Sequence, residues 1–383
     1  MSDFDDIRAF DAEDLPEAYE RLISDDEFRK VVAYAIPGVP FEAVAAKLKQ
    51  CRTGLEFQKT FCYQLLERVM AQTGKCLTGD FSEVDNKRRY TFISNHRDIV
   101  LDSAFLDKLL IDAGFSTTCE IAIGDNLFAR PWIKDLVRVN KAFIVQRSLP
   151  PRQMLLASKK LSEYMHHVIN DKNDNIWIAQ REGRAKDGND RTQEAVLKMM
   201  AMGGTGSIVE KLKQLHIAPL AISYEYDACD FLKAKEFQQK RDNPEWKKSK
   251  QDDVTSMVTG FTGYKGDIYY KVAPCIDTFL DQLPADTPKT KIFDIIAHFI
   301  DKQIHARYHL FANNYIALDI KNGDDKQFQA GKYTQEQKQQ FLEYLQKRID
   351  KIDLQNKDEE FLKERMITMY ANPARNQLAD FSI

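Results

Sequence analysis

An α/β fold, with a mixed and largely parallel sheet flanked by helices, is what this sequence predicts. Three observations carry that reading. From about residue 88, short apolar runs alternate with helix-period segments long enough to act as crossovers between parallel strands. Before about residue 80 and after about 286 the pattern is helical. The chain, 383 residues and 43% hydrophobic, is long enough to bury a large core. The expected organisation is therefore a helical N-terminal segment (1–80), an α/β domain (81–285) and a mostly helical C-terminal extension (286–383).

In order, residues 14–22 and 26–35 form short amphipathic helices, separated by Pro37-Gly38-Val39-Pro40 from a longer one over 56–71, where Phe57, Phe61, Leu65, Leu66 and Val69 fall at helical spacing. Strands are expected at 90–94, 118–123, 142–146, 175–179, 218–223 and 267–272. Helices are expected between them at 100–113, 132–139, 151–169 and 192–202. Beyond 286, helices are expected at 290–303, 334–349 and 358–370, with one further strand within 309–320 and a loop and tail from Asn372-Pro373. The sequence shows no internal repeat.

Bulk properties exclude several classes. A net charge of -3 gives no basic field for nucleic acid. No apolar run approaches the roughly 18 residues that span a bilayer. The acidic start, Met-Ser-Asp-Phe-Asp-Asp, lacks the basic and apolar regions of a signal peptide. Six cysteines without Cys-x-x-Cys spacing fit reduced, cytosolic thiols rather than disulfides or zinc.

In such sheets ligands gather at the carboxyl ends of strands. His96 follows the first expected strand, Arg147 the third and Glu182 the fourth. A histidine at a strand end with carboxylates behind it suits a general base and its orienting acid. Asp98 precedes an apolar helical run, a good position for a cap. Asp102 is six residues from His96, about 600° around an ideal helix, so the two can meet only if His96 stands in the loop. Either Asp102 reaches back from the first turn or Asp98 orients the ring.

Four blocks between about 88 and 240 then resemble, in order, those of the glycerolipid acyltransferases, and most closely glycerol-3-phosphate acyltransferases. They are Ser94-Asn95-His96-Arg97 with its following Asp; Lys141-Ala142-Phe143-Ile144-Val145-Gln146-Arg147; Ile178-Ala179-Gln180-Arg181-Glu182-Gly183-Arg184; and Ala218-Pro219-Leu220-Ala221-Ile222-Ser223-Tyr224-Glu225. Gly124-Asp125-Asn126-Leu127 and Tyr224-Glu225 resemble the glycerol-3-phosphate branch. Two departures stand out. The family's Asp lies five residues after the His, where this chain has Leu101 between Asp98 and Asp102. Arg184 directly follows Gly183, where the family usually has an intervening residue, and Arg181 stands where many members have proline. Which Asp orients His96, and whether Arg184 or Lys186 takes the family arginine's place, are left open.

The resemblance implies an O-acyltransferase of phospholipid biosynthesis that moves a fatty acyl group from a thioester, acyl-CoA or acyl carrier protein, to the hydroxyl of glycerol 3-phosphate. His96 would be the base, Asp102 or Asp98 its partner, and Arg147, Glu182, Gly183, Arg184, Lys186 and Asn126 the acceptor and phosphate site, with Pro219 in the fourth block's strand. No cofactor and no metal are implied. The alternatives are a 1-acylglycerol-3-phosphate acyltransferase making phosphatidate and, in another class, a non-catalytic lipid- or acyl-binding protein. A serine hydrolase lacks its Gly-x-Ser-x-Gly elbow here. The amphiphilic product implies a cytoplasmic protein, peripheral at the inner face of a membrane. Helix 132–139, with Lys134, Arg138 and Lys141, and Trp246-Lys247-Lys248-Ser249-Lys250 are the candidate membrane contacts, though both read first as ordinary solvated faces. Gly203-Gly204-Thr205-Gly206 reads as a turn before a Ser207/Glu210 capping box, His166 and His167 as surface residues, and His305 with His309 as a pair lacking a third metal ligand.

Overall fold

The sheet holds seven strands: β1 (Gly74–Asp80), β2 (Thr91–Ser94), β3 (Cys119–Gly124), β4 (Ala142–Val145), β5 (Asn175–Ala179), β6 (Ile217–Tyr224) and β7 (Gly266–Val272). This is a computed structural model, and it describes residues 3–128, 130–147 and 149–380. The spatial order is β1-β7-β6-β2-β5-β3-β4. Strands β2 to β6 run parallel, β7 is antiparallel to β6, and β1 is parallel to β7. The fold is α/β, with a mixed, largely parallel sheet between helices.

The central strands are apolar on both faces because both faces are covered. Ile93, Phe143, Ile176 and Ile178 point into a core closed by helices Pro151–Asn170, Glu194–Met200 and Lys289–Ala306. Phe92, Ala142, Trp177 and Ile222 point the other way, toward helices Tyr63–Thr73 and Leu101–Asp112. Leu15, Tyr19, Leu22, Phe28, Val44 and Phe57 form a separate N-terminal core with Val139. The C-terminal helices form a fourth, built on Ile316, Phe341, Leu345, Leu362 and Met366.

Three expectations change. Strand β1 lies in a segment that reads as helical: Gly-Lys-Cys-Leu-Thr-Gly-Asp is a half-exposed edge strand without apolar alternation, so pairing with β7 defines it. The expected strand within 309–320 is instead helix Ala312–Asn322, started by Asn314 Oδ1 accepting the Phe311 N–H (2.9 Å) and stopped by Gly323 at φ 70°. The expected tail is helix Glu359–Asp380, which carries Pro373 inside it. The carbonyl four residues before that proline, Met369, loses its helical donor. Gly188 (φ 72°) packs against it so closely that a Cβ there would lie 2.2 Å from the oxygen.

Pro219 sits in β6 opposite Ile93, one residue outside the β6–β7 register, which begins at Leu220 and Val272. Its carbonyl accepts the Ala273 N–H at 2.7 Å, so the missing N–H falls where the ladder ends.

Candidate active site

The backbone leaves the sheet after Ser94, and Asn95 fixes how it does so. Its side-chain amide donates to the Ile222 carbonyl (2.9 Å) and accepts the Ile222 N–H (2.8 Å), extending the β2–β6 pairing by one residue. His96 therefore stands in a short loop ahead of helix Leu101–Asp112. From the first turn of that helix the buried Asp102 reaches back. Its Oδ2 accepts the N–H of Arg97 (2.6 Å), the N–H of Asp98 (3.0 Å) and Nδ1–H of His96 (2.7 Å). Asp98 instead accepts the N–H groups of Val100 and Leu101 (2.9 and 2.8 Å), as a cap. Burial, then the neighbouring Asp102, raise its carboxyl above the usual range. The extra residue between His96 and Asp102 is absorbed in the loop.

Two further contacts hold this corner. Tyr270 of β7 donates to the Asp102 carbonyl (2.9 Å), and Gly260 of helix Lys250–Thr262 lies over Asp98, where a Cβ would come 2.1 Å from Oδ2. Trp177 presents its edge to the His96 ring, centroids 5.5 Å apart. His96 Nε2 has no hydrogen-bond partner among the described residues.

That ring faces a cavity of about 820 Å³ at the carboxyl ends of β3, β4 and β5. Its lining includes the apolar residues Ile123, Ile144, Met154, Leu161, Val196 and Met199. It also includes Asn126, Arg147, Glu182, Gly183, Arg184 and Lys186. Gly124 is required at the end of β3, because a Cβ would meet Asn126 Oδ1 at 2.5 Å and Arg147 Nε at 2.8 Å. Gly183 turns the chain at φ 68°. The exposed Arg147 and Glu182 are 3.9 Å apart, a loose pair. Lys186 is bound to Glu236 of helix Asp230–Asp242, and burial lowers its ammonium pKa. Arg184 makes no hydrogen bond or ion pair with a described residue, and its charge acts on the buried Asp98 and Asp227. Of the two cations the sequence left open, Arg184 is uncommitted and Lys186 is engaged. Pro219 is not on the cavity wall.

The family model for acyltransferases matches residues 78–223, the stretch that contains the carboxyl ends of β2 to β5. Over that stretch the chain is similar to the acyltransferase family. Its structure is similar, at TM-score 0.39 and 11% identity, to the crystal structure of the 1-acyl-sn-glycerophosphate (LPA) acyltransferase PlsC from Thermotoga maritima, over 77% of this chain and 98% of that one. No curated protein sequence matches the chain significantly.

Around this cavity lies a buried charge network that the sequence did not reveal. Arg97 Nη2 is 2.6 Å from Asp190 Oδ2, which also accepts from Tyr308 Oη (2.9 Å). Lys233 donates to the Arg97 carbonyl (3.0 Å) and pairs with Asp227. Asn372 Nδ2 donates to the Asp187 carbonyl (2.7 Å) and Asn376 Nδ2 to Asn189 Oδ1 (3.2 Å), so the final helix docks on the loop after Gly183. Apart from Lys233 and Asp227, which are six residues apart, these partners lie more than 90 residues apart in sequence, and no local pattern signals them.

The remaining expectations are placed as follows. Arg138 and Lys141 are buried, Arg138 on the Arg8 carbonyl (2.9 Å) and Lys141 on Asp174 (2.8 Å), and Trp132 packs on Phe28. Helix Pro131–Val139 thus packs Trp132, Leu136 and Val139 on the N-terminal core. His166 is buried against Gly203 and Gly204, contrary to the surface reading, and Ser207 and Glu210 form the capping box. His305 is buried on the Asp190 carbonyl (3.0 Å), and His309 stacks on Tyr269. His216, Cys275 and Asp277 bring ligand-type atoms within 4.8 Å, but the Arg88 guanidinium lies 3.2 Å from His216 Nδ1 and 3.6 Å from Asp277, where a cation would sit. Among the described residues no helix is long and apolar enough to cross a membrane.

Proposed function

We propose that this acyltransferase moves a fatty acyl group from a thioester to a hydroxyl of glycerol 3-phosphate. The observation that carries the reading is the His96–Asp102 pair, 2.7 Å apart, opening onto one cavity lined both by apolar side chains and by arginines. With Nδ1–H committed to Asp102, Nε2 is the basic nitrogen. It takes the proton of the attacking hydroxyl as the new C–O bond forms. The carboxylate then faces an imidazolium. Collapse of the tetrahedral intermediate breaks the C–S bond, and the imidazolium returns its proton to the departing thiolate. A thioester is already activated, so no covalent enzyme intermediate is needed. The acceptor phosphate would meet Arg184 and Arg147, and the acyl chain the apolar wall.

A membrane-surface location fits helix Pro151–Asn170. Met154, Ala157 and Leu161 line the cavity, while Leu155 and Leu156 of the same helix are 62% and 63% exposed. The donor is acyl-CoA or acyl carrier protein, and the setting is the cytoplasmic face. The test is product formation from labelled glycerol 3-phosphate and a palmitoyl thioester. The reading predicts an organic-extractable monoacylglycerol phosphate. Product only from 1-acylglycerol 3-phosphate would overturn the acceptor assignment.

A further inference from the structure

Between β5 and helix Glu194–Met200 the chain forms neither helix nor strand. Residues 180–193 thus make a loop well beyond the roughly 2–6 residues usual between a strand and its helix, and its backbone groups have no ladder to join. Its two ends close on each other, the Gln193 N–H donating to the Gln180 carbonyl (2.9 Å) and the Glu182 N–H to Gln193 Oε1 (2.8 Å). Its middle rests on the final helix. Met369, Asn372 and Asn376 are three and four residues apart, so they share one face of helix Glu359–Asp380. Asn372 Nδ2 donates to the Asp187 carbonyl (2.7 Å), Asn376 Nδ2 donates to Asn189 Oδ1 (3.2 Å), and Gly188 packs on the Met369 carbonyl. Asn372 is 6% exposed, and its Oδ1 accepts Nη1–H of Arg375 (2.9 Å). A guanidinium only donates and a carbonyl only accepts, so the Asn372 amide fits this place in one orientation. Leu362, Met366, Tyr370 and Ala374 bury the same helix in the C-terminal core. The loop therefore leans on an element with a core of its own, outside the stretch 78–223 that is similar to acyltransferases.

We propose that Asn372 is a positioning residue for the acceptor site, holding loop 180–193 through the Asp187 carbonyl in the conformation that takes up acceptor. This rests on the acceptor site of the proposed function and assigns the C-terminal extension a part in it. Asp187 lines the cavity and Asn372 does not, so the effect passes through the Asp187 backbone. Without that bond the loop spends time in other conformations, and acceptor affinity falls in proportion to the fraction that stays competent. Bound acceptor draws the loop back, so turnover at saturation is kept.

The test compares Asn372→Asp with Asn314→Asp. Asn372→Asp keeps the shape and the Arg375 contact but sets a carboxylate oxygen against the Asp187 carbonyl. Asn314→Asp makes the same change against the Tyr370 carbonyl of the same helix, now met by Asn314 Nδ2 at 2.9 Å, and keeps its cap on the Phe311 N–H. Thiol release is measured with whichever acceptor wild type uses, glycerol 3-phosphate or 1-acylglycerol 3-phosphate. Asn372→Asp should raise acceptor KM about tenfold, the equivalent of one unmade buried hydrogen bond, with kcat within about twofold of wild type. Asn372→Ala, which removes the donor without adding charge, should raise KM in the same way, and Asn372→Gln, which keeps the donor, should recover part of the loss. Asn314→Asp should move KM by less than about twofold, because its bond does not reach the loop. An unchanged KM in Asn372→Asp and Asn372→Ala, an equal rise in Asn314→Asp, or a loss confined to kcat would each overturn the proposal. Should folded wild type turn over neither acceptor, the acyl-transfer reading fails, and hydrogen exchange of amides 185–190 in the ligand-free protein then tests the positioning by itself. Faster exchange in Asn372→Asp than in wild type and Asn314→Asp upholds it, and equal exchange in all three sinks it.

Discussion

Asp102→Asn separates the two carboxylates behind His96. The substituted amide oxygen can still accept the Arg97 and Asp98 N–H groups now held by Oδ2, so the loop should keep its shape. What is lost is the negative charge facing the imidazolium that forms as the hydroxyl is deprotonated. Two unit charges about 4 Å apart at an effective dielectric of about 20 interact by about 4 kcal/mol. That is about a thousandfold in rate, within the 10²–10⁴ range usual for general-base catalysis. Stopped thiol-release assays at saturating acceptor should therefore show kcat down by about three orders of magnitude, with acceptor KM changed less than about threefold. Asp98→Asn should cost less than about tenfold in kcat and about 1 kcal/mol in stability, because Asp98 caps Val100 and Leu101 rather than touching the ring. Equal kcat losses in the two variants, or near-normal turnover in Asp102→Asn, would refute the assignment.

Three other perturbations follow from the same geometry. Asp190→Ala leaves Arg97 buried and unpaired, and denaturant unfolding should show a loss of about 3–5 kcal/mol. Burial pushes the Asp107 carboxyl up to about 7. The folded state then holds this proton more tightly than the unfolded chain, so Asp107 costs nothing below about pH 4 and progressively more up to pH 7, by roughly 4 kcal/mol. Unfolding free energy measured from pH 5 to 7.5 should fall less steeply in Asp107→Asn than in wild type. Met199→Trp fills the apolar wall of the cavity, and kcat/KM for long-chain thioesters should drop about fourfold for each methylene displaced, at about 0.8 kcal/mol apiece, while short chains are spared.

Strands β2 to β6 were legible because parallel strands covered on both faces are continuous apolar runs, and their ends are punctuated by the polar residues that line the cavity. His96, Arg147 and Glu182 could be grouped from strand ends alone. Strand β1 could not be seen, since an exposed edge strand needs no apolar pattern. The 309–320 run was misread because a short apolar stretch suits strand and helix alike, although Gly323 was there as a stop signal. Pro373 suggested an end, yet the helix runs on through it, with Gly188 packed close against the Met369 carbonyl that loses its helical donor. Arg184 and Lys186 were equivalent in sequence, and only Glu236, fifty residues from Lys186, tells them apart. The Arg97–Asp190–Tyr308 cluster joins residues whose proximity exists only after folding.

The measurement closest to the central claim is thiol release from a palmitoyl thioester by wild type and His96→Ala, with glycerol 3-phosphate and then 1-acylglycerol 3-phosphate as acceptor. The account predicts release that requires glycerol 3-phosphate and falls by at least about a hundredfold in His96→Ala. Acceptor-dependent release that survives the loss of His96, or none at all from folded wild type, would contradict it.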